Sequence, residues 1–254
     1  MDRQWIDLVI DGAVATVTMN RAPANAINAQ FRDELIDAFE DAYVNHEGVK
    51  VVILASRLST IYSAGADVKE FPNLAPRAHL LRYRRIQYLF DWLYNFPLPT
   101  VAAIHGYALA GGFVLAACCD IRVAADDTTF GLPEISVGSI GGISPLFRLV
   151  PQGYARWLAL TGRQVPASEL YRLGAIEQVV PRADLPVAAR EVANEIARVP
   201  QTALRFAKRA MNEAEVLPLV YGVANELGYS AEFRGSNESI EAARAFSEKR
   251  EPRT

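Results

Sequence analysis

Three short runs of mostly aliphatic residues, 49–55, 100–104 and 120–124, constrain the fold of this chain more than any other feature. Runs of this kind are typical of strands that are buried on both faces of a sheet. A glycine turn and an apolar helix, 111–119, are predicted between the second run and the third. Strands that alternate with helices in this way predict a parallel sheet with helices packed on it, that is, an α/β fold.

The N-terminal part of the chain carries the patterns of a hairpin and a helix. Residues 7–10 and 13–19 have the composition of strands, and the turn sequence Asp11-Gly12 lies between them. This arrangement predicts two antiparallel strands joined by a tight turn. Asn28 is a residue type that caps helices, and apolar residues recur at helical spacing from Phe31 onward. We therefore expect a helix directly after Asn28.

The C-terminal part of the chain is predicted to be mostly helical. One helix is expected to begin near Ala167 and to end at Gly174, and Asp184 is expected to cap the next helix. We therefore divide the chain into an α/β core, 1–195, and a helical region, 196–254. The apolar faces of the last helices are expected to pack either on this core or on another copy of the chain.

The composition argues against several classes of protein. The chain is 51% hydrophobic and 22% charged with a net charge of −3, which gives no reason to expect nucleic acid or an anionic membrane as a partner. We expect neither a signal peptide nor a membrane span. The two cysteines, Cys118 and Cys119, are adjacent on a predicted helix, which suits neither a disulfide framework nor a metal site. We expect them to be core residues of a cytoplasmic protein.

Two turns built from small residues are expected to lie at one edge of the sheet. The segment 63–69 follows one buried strand, and Ala110-Gly111-Gly112 follows the next. Ligands of parallel sheets bind at the carboxyl ends of the strands, and backbone N–H groups at the start of a helix have no partner within it. Two such turns can present two N–H groups to one oxygen. Small residues also permit close packing of helix on strand, and the spacing leaves both interpretations open.

Glu134 is the candidate general base. It follows the third predicted strand and lies between apolar neighbours, where desolvation would raise the pKa of its carboxyl. The alternative is that Glu134 is exposed or caps a backbone group. The histidines, His46, His79 and His105, are scattered, and no cluster predicts a metal site. We expect His105 to be a hydrogen-bonding residue at the end of a strand.

Five segments together resemble the enoyl-CoA hydratase/isomerase, or crotonase, superfamily. They are PANAIN (23–28), SAGADVKEF (63–71), PTVAAIHGYALAGG (99–112), CDIRVAADDTTFGLPEISVG (119–138) and LTGRQVPASELYRLGAIEQVV (160–180). The resemblance is in order and extends over nearly the whole chain. It implies a crotonase-like ββα spiral core with a helical C-terminal trimerisation region, and a homotrimer or a hexamer as the assembly.

The resemblance also implies roles for individual residues. Ala66 and Gly111 are expected to donate their backbone N–H groups to the thioester oxygen of an acyl-CoA, as an oxyanion hole. Glu134 matches the second of the two catalytic glutamates of the family's hydratases. The other residues expected to contact substrate or coenzyme A are Ala64, Asp67, Val68, Lys69 and Gly142. No metal and no permanently bound cofactor are expected, because coenzyme A enters as part of the substrate.

Two groups of cations are candidates for the charged end of coenzyme A. The resemblance places Lys69 near the phosphates or the adenine. The run Arg82-Tyr83-Arg84-Arg85 is expected either to assist Lys69 or to form a solvated helix face.

One catalytic position departs from the family pattern. The first glutamate of the family's hydratases falls on Val114, three residues after Gly111, and valine cannot transfer a proton. Hydration must deprotonate a water and supply a proton to carbon, and two carboxylates share these two tasks. Moving a double bond from the 3,4 to the 2,3 position of an acyl-CoA needs only one base and an oxyanion hole. We therefore predict an enoyl-CoA isomerase that uses Glu134 alone.

Other reactions remain open from the sequence. Gly142 matches the family glycine whose N–H holds the catalytic water of hydratases, so hydration by one glutamate is an alternative. Family members without the first glutamate include decarboxylases and hydrolases of β-keto or cyclic acyl-CoA. The segment Ile143-Ser144-Pro145 is expected near the acyl pocket. A non-catalytic acyl-CoA-binding scaffold is the remaining alternative.

Overall fold

The computed structural model describes residues 2–70 and 75–250. The strands are β1 (Ile6–Asp11), β2 (Val14–Met19), β3 (Val51–Ser56), β4 (Ile61–Ser63), β5 (Thr100–Ile104), β6 (Tyr107–Leu109), β7 (Ile121–Ala125), β8 (Thr129–Gly131), β9 (Gln164–Pro166) and β10 (Gln178–Val180). The α-helices are α1 (Ala29–Val44), α2 (Pro76–Tyr94), α3 (Gly111–Cys118), α4 (Ile143–Leu149), α5 (Gln152–Thr161), α6 (Ala167–Arg172), α7 (Leu185–Ala197), α8 (Gln201–Ala214), α9 (Leu219–Arg234) and α10 (Asn237–Ser247). Phe71, which ends one of the segments quoted above, and the end of the predicted helical region, 251–254, lie outside the described residues.

The strands form two sheets. The larger sheet has the order β1-β2-β3-β5-β7-β10, in which β1 and β2 are antiparallel and the other neighbours are parallel. The smaller sheet has the order β4-β6-β8-β9, with β9 antiparallel to β8 and the others parallel. Helices alternate with these strands and make up most of the C-terminal part. The predicted α/β fold with a helical C-terminal region is thus confirmed.

The N-terminal elements form where local sequence predicted them. β1 and β2 pair as a hairpin, and Gly12 in its turn has φ +59°, a conformation that glycine adopts without steric cost. Asn28 Oδ1 accepts a hydrogen bond from Phe31 N at 2.8 Å, which confirms the predicted N-cap of α1.

Two parts of the chain differ from the prediction. Asp184 precedes α7, but its side chain makes no capping hydrogen bond, because its backbone is already near-helical (φ −91°, ψ −10°) rather than extended. The smaller sheet was not predicted at all. Each of its strands has three residues, which is too short for an alternating pattern to be recognised.

The central strands of the larger sheet are buried on both faces, as their aliphatic runs predicted. Val52 and Leu54 of β3 belong to the main core, which also contains α1, the end of α2 and α3. Val51 and Ile53 point to the opposite face, where they pack in a second cluster with Leu185 and other residues of α7. The sheet is therefore covered by helices on both sides.

A buried lysine of α8 connects the last helices to the core. Lys208 of α8 is 3% exposed, and its Nζ lies 2.8 Å from Asp120 Oδ2 and donates to Leu98 O at 3.0 Å. Beyond it, α9 exposes several apolar side chains, Leu219, Val220 and Leu227 among them. In the described parts of the chain, no helix is long and apolar enough to cross a membrane. The boundary near residue 195 stays a prediction, and α7, which crosses it, packs on the larger sheet.

Three side chains of the core behave as the sequence predicted. Cys118 and Cys119 are buried at the end of α3, and burial raises the pKa of each thiol to about 12. His105 lies at the end of β5 with Nε2 2.6 Å from Leu58 O, and burial lowers the pKa of its imidazole.

Candidate active site

The two small-residue turns follow neighbouring strands of the smaller sheet. β4 ends at Ser63 and β6 ends at Leu109, and these strands run parallel with Ser63 paired to Ala108. The turns therefore lie at one carboxyl edge, as predicted. The edge belongs to the smaller sheet, which corrects the expectation that the turns follow the long buried strands directly. After each long strand the chain first enters a short strand of the second sheet and only then turns.

The N–H groups of Ala66 and Gly111 come together at this edge. A methyl carbon on Gly111 would lie 3.5 Å from Ala66 N, and one on Gly65 would lie 2.4 Å from Gly111 N. Neither the Ala66 N–H nor the Gly111 N–H has an acceptor among the residues that the structure describes. Gly111 also opens α3, so the helix dipole makes its N–H a better donor. The two groups can donate to one oxygen.

The close approach of the two turns depends on backbone without side chains. Gly65 has φ +81°, which is strained for any residue with a Cβ. A methyl carbon on Gly112 would lie 2.1 Å from Ser63 O, so α3 packs directly against the backbone of β4. Ala110 adopts φ +50° although it has a Cβ, and strain of this kind is concentrated at functional sites.

Glu134 lies in the 3₁₀ helix Pro133–Val137 that follows β8. Its backbone is fixed by a hydrogen bond from Ser139 N to Glu134 O at 3.0 Å. Glu134 Oε2 is inaccessible to solvent and has no hydrogen-bond partner among the described residues. This burial raises the pKa of the Glu134 carboxyl, in the direction that the sequence predicted. A partly desolvated carboxylate whose Oε2 has no hydrogen-bond partner among the described residues is suited to accept a proton.

A cavity of about 320 Å³ lies between α2, the two turns and the segment that follows β8. The structure places these predicted site residues in its lining: Ala64, Ala66, Val68, Gly111, Val114, Glu134 and Gly142. Val114 is 4% exposed, and a methyl carbon on Gly142 would lie 3.0 Å from Val114 Cγ2. The wall beside the candidate base is therefore apolar at this point.

Several predicted site residues do not line the cavity. Asp67 is buried in an ion pair with Arg21, and Lys69 is exposed on the 3₁₀ helix that follows Asp67. The segment Ile143-Ser144-Pro145 directly follows the lining residues Gly141 and Gly142 but is not itself part of the lining, and its predicted place near the acyl pocket stays a prediction. α4 begins at Ile143, directly after Gly141 and Gly142.

The cavity wall formed by α2 was missed from the sequence. Tyr83, Ile86 and Phe90 of this helix line the cavity, at spacings of three and four residues. That spacing was visible, but nothing local shows which face of a helix meets a distant turn. The same helix carries the arginine run, in which Arg82 pairs with Glu70 and Arg84 and Arg85 are exposed.

Metal ligands are not grouped in this part of the molecule. Among residues 2–70 and 75–250, no three His, Cys, Asp or Glu side chains are placed to hold a metal ion.

Residues 10–253 match the family model described as enoyl-CoA hydratase/isomerase. A Rhodococcus jostii protein named (7aS)-7a-methyl-1,5-dioxo-2,3,5,6,7,7a-hexahydro-1H-indene-carboxyl-CoA hydrolase is 34% identical over 95% of this chain and 93% of its own. A probable enoyl-CoA hydratase of Mycobacterium bovis is 35% identical over 95% and 94%. The crystal structure of an enoyl-CoA hydratase from Bacillus anthracis superposes with a TM-score of 0.92 at 31% identity and covers 98% of both chains.

Proposed function

This chain belongs to the enoyl-CoA hydratase/isomerase family, and from that premise we propose that it is an enoyl-CoA isomerase with one base. The reaction moves the double bond of a 3-enoyl-CoA to the 2,3 position. One observation carries the proposal. Among the described residues, Glu134 is the only carboxylate that lines the cavity, and Val114 stands where the resemblance expects the first glutamate.

Glu134 would transfer one proton between two carbons of the substrate. Its carboxylate removes a proton from the α-carbon, and the electrons of that C–H bond spread onto the thioester oxygen as a dienolate. When the dienolate collapses, these electrons form the new 2,3 double bond and the old 3,4 π electrons bind a proton at the γ-carbon. Glu134 returns the proton there, so the reaction needs neither water nor a redox partner. A base poised by desolvation contributes about 10²- to 10⁴-fold to such transfers.

The Ala66 and Gly111 N–H groups would hold the charge that develops meanwhile. Loss of the α-proton places negative charge on the thioester oxygen, and a preorganised donor aimed at that oxygen is worth roughly 2.7–4 kcal/mol. Ala64, Val68 and Gly142 would contact the bound substrate from the cavity wall. We assign the exposed Lys69 to the phosphates or the adenine of coenzyme A, which is a substrate part rather than a resident cofactor.

The proposal is tested with a short 3-enoyl-CoA and the matching 2-enoyl-CoA, in separate assays. We expect the conjugated thioester to form from the 3-enoyl substrate, and no 3-hydroxyacyl-CoA to form from the 2-enoyl substrate. Hydration at a rate equal to isomerisation would refute the proposal.

Val114→Glu, with Val114→Gln as its neutral control, extends this test. Because Val114 lines the same cavity as Glu134, a carboxylate there restores the missing first glutamate of the family's hydratases. We expect hydration to rise about 100-fold or more in Val114→Glu only, at the low end of the range for a positioned acid or base. Equal hydration by the two variants would show that position 114 does not set the reaction.

Hydrolysis of a cyclic β-keto acyl-CoA is the second candidate. It is favoured by the name of the Rhodococcus relative, which is 34% identical to this chain. In that reaction Glu134 would activate a water beside Gly142, and oxygen-18 from solvent water would enter the product. Isomerisation introduces no oxygen, so the label separates the two candidates.

We further propose that the exposed apolar residues of α9, such as Leu219 and Leu227, are covered by other copies of this chain in a trimer or in a hexamer made of two trimers. Light scattering is expected to give the mass of three or six chains. Leu227→Arg places a charge in that face and is expected to lower the mass. A monomeric wild type would contradict this assignment.

A further inference from the structure

The segment before α1 pairs with the first turn through alternate backbone groups. Its bonds are Ala64 N to Ala24 O at 3.0 Å, Ile27 N to Gly65 O at 2.7 Å and Asp67 N to Ile27 O at 3.0 Å. Ile27 and Ala66 form a parallel bridge within this pairing. Because successive residues of an extended chain face opposite sides, the Ala66 N–H points away from the segment. Ala66 lines the cavity, and a methyl carbon on Gly111 would lie 3.5 Å from its nitrogen, which places this N–H on the side where Gly111 lies.

One ion pair fastens these two segments beside Ala66. Arg21 Nη2 donates to Asp67 Oδ2 at 2.8 Å, and Arg21 Nη1 donates to Ala26 O at 2.6 Å. The guanidinium carbon also lies 4.8 Å from the centroid of the Trp5 ring. The side chains of Arg21 and Asp67 are 19% and 11% exposed, so solvent screens this pair less than a surface pair.

Asp67 is fixed by further hydrogen bonds. Its Oδ1 accepts from Lys69 N at 3.2 Å, and its backbone oxygen accepts from Arg82 Nη2 at 3.2 Å. Burial raises the pKa of the Asp67 carboxyl, but the hydrogen bonds from Arg21 and Lys69 outweigh it, and the pKa lies below its ordinary value. Asp67 is thus held as a carboxylate by groups of this chain.

We propose that Arg21 and Asp67 are positioning residues for the oxyanion hole, an inference that rests on the function proposed above. The ion pair immobilises Asp67, and the Asp67 N–H donates a hydrogen bond to Ile27 O. Together these contacts set the direction of the preceding peptide group, which carries the Ala66 N–H. The donor is then aimed before substrate binds, which is the condition for electrostatic stabilisation of a transition state. In this assignment Asp67 positions the Ala66 N–H and does not bind coenzyme A.

Arg21→Met and Asp67→Asn remove the charges from the two sides of the pair. We expect each to lower kcat for isomerisation about 10- to 100-fold, since small misplacements of a reacting group reach that size. KM is expected to change less than about 3-fold because the cavity wall is untouched. If the residues act as one unit, the double variant is no slower than Arg21→Met. Arg21→Lys keeps the charge but not the planar fork, and is expected to recover part of the loss.

The carbonyl of a bound thioester reports the donor directly. A saturated acyl-CoA labelled with carbon-13 at the thioester carbonyl is not isomerised, and hydrogen bonds to its oxygen lower the infrared stretching frequency. We expect this lowering in the wild type and a smaller one in Arg21→Met and Asp67→Asn. Arg3→Met is the matched control, because Arg3 is 17% exposed and pairs with Asp37 and Asp41 outside the cavity lining. It is expected to keep the full lowering and the wild-type kcat.

The outcomes separate this inference from the proposed function. A full frequency shift in both variants, or a loss confined to KM, would overturn the positioning role. A wild type without any shift would overturn the oxyanion hole and the inference with it. A wild type that shows the shift but does not convert 3-enoyl-CoA would refute the isomerase, while the infrared comparison still decides the role of the pair. Should Arg21→Met not fold, Asp67→Asn decides, because asparagine keeps the shape of the side chain and the acceptor for Lys69 N.

Discussion

Glu134→Gln is expected to lower kcat for isomerisation about 10²- to 10⁴-fold, the contribution of a general base, while substrate binding is retained. Glutamine has the shape of glutamate but cannot take up the α-proton. Among the described residues no other carboxylate lines the cavity, so no neighbour can take over the transfer. The measurement is kcat and KM with a short 3-enoyl-CoA, followed by absorbance of the conjugated product.

Two controls make this result specific to proton transfer. Glu134→Asp keeps the carboxylate one methylene further from the substrate, and is expected to retain more activity than Glu134→Gln. Both variants are expected to unfold within a few degrees of the wild type, because Glu134 Oε2 has no hydrogen-bond partner among the described residues to lose. A Glu134→Gln enzyme within 10-fold of the wild-type rate would rule out Glu134 as the base.

The pH dependence gives a second reading of the same prediction. A base acts only when ionised, and burial raises the pKa of the Glu134 carboxyl. The rate kcat/KM is therefore expected to fall as the pH drops through a value above the ordinary glutamate pKa of about 4.3. The free energy of unfolding changes in the opposite direction and falls as the pH rises through the raised pKa of Glu134. A carboxyl whose pKa is raised in the folded state binds its proton more tightly there, so its ionisation destabilises the fold. If the midpoint of the kcat/KM profile lies at the ordinary glutamate pKa, the Glu134 carboxyl is solvated rather than buried.

The sequence predicted correctly those structural elements whose pattern lies within one short segment of the chain. The hairpin turn at Gly12, the N-cap Asn28 and the aliphatic runs of the larger sheet each depend on a few consecutive residues. The predicted base also follows from its immediate neighbours, and the direction of its pKa agrees. The roles given to Ala66 and Gly111 came from the family resemblance and stay predictions. What the structure adds is that their N–H groups are adjacent and lack acceptors among the described residues.

The features that the sequence did not reveal depend on pairing across distance. The three-residue strands of the smaller sheet, such as β4, are defined by their neighbours rather than by a pattern of their own. The environment of Asp67 also depends on a residue that is distant in the sequence. A charged residue in a turn is expected at the surface, and only the fold brings it to Arg21, 46 residues earlier in the chain. The face of α2 that lines the cavity is likewise fixed by tertiary packing.

Gly65→Ala is expected to lower kcat about 10²- to 10³-fold, the size of the effect of losing one oxyanion donor. The added methyl carbon would lie 2.4 Å from Gly111 N and 3.0 Å from Ala110 Cβ, so the two turns must move apart. The Ala66 and Gly111 N–H groups then no longer converge on one oxygen. The substitution leaves Glu134 unchanged, so a loss of rate reports the donors and not the base. The measurement is kcat at a temperature where the variant is fully folded.

Gly174→Ala is the matched control for backbone strain. Gly174 has φ +77°, close to the +81° of Gly65, but a methyl carbon there would meet nothing within 4 Å. Both variants should therefore lose roughly 1–2 kcal/mol of stability from the left-handed conformation. Only Gly65→Ala should lose its rate and the infrared shift of a bound thioester. If both folded variants keep the wild-type rate, the two N–H groups are not the donors that hold the thioester oxygen, and the charge must be stabilised elsewhere in the cavity.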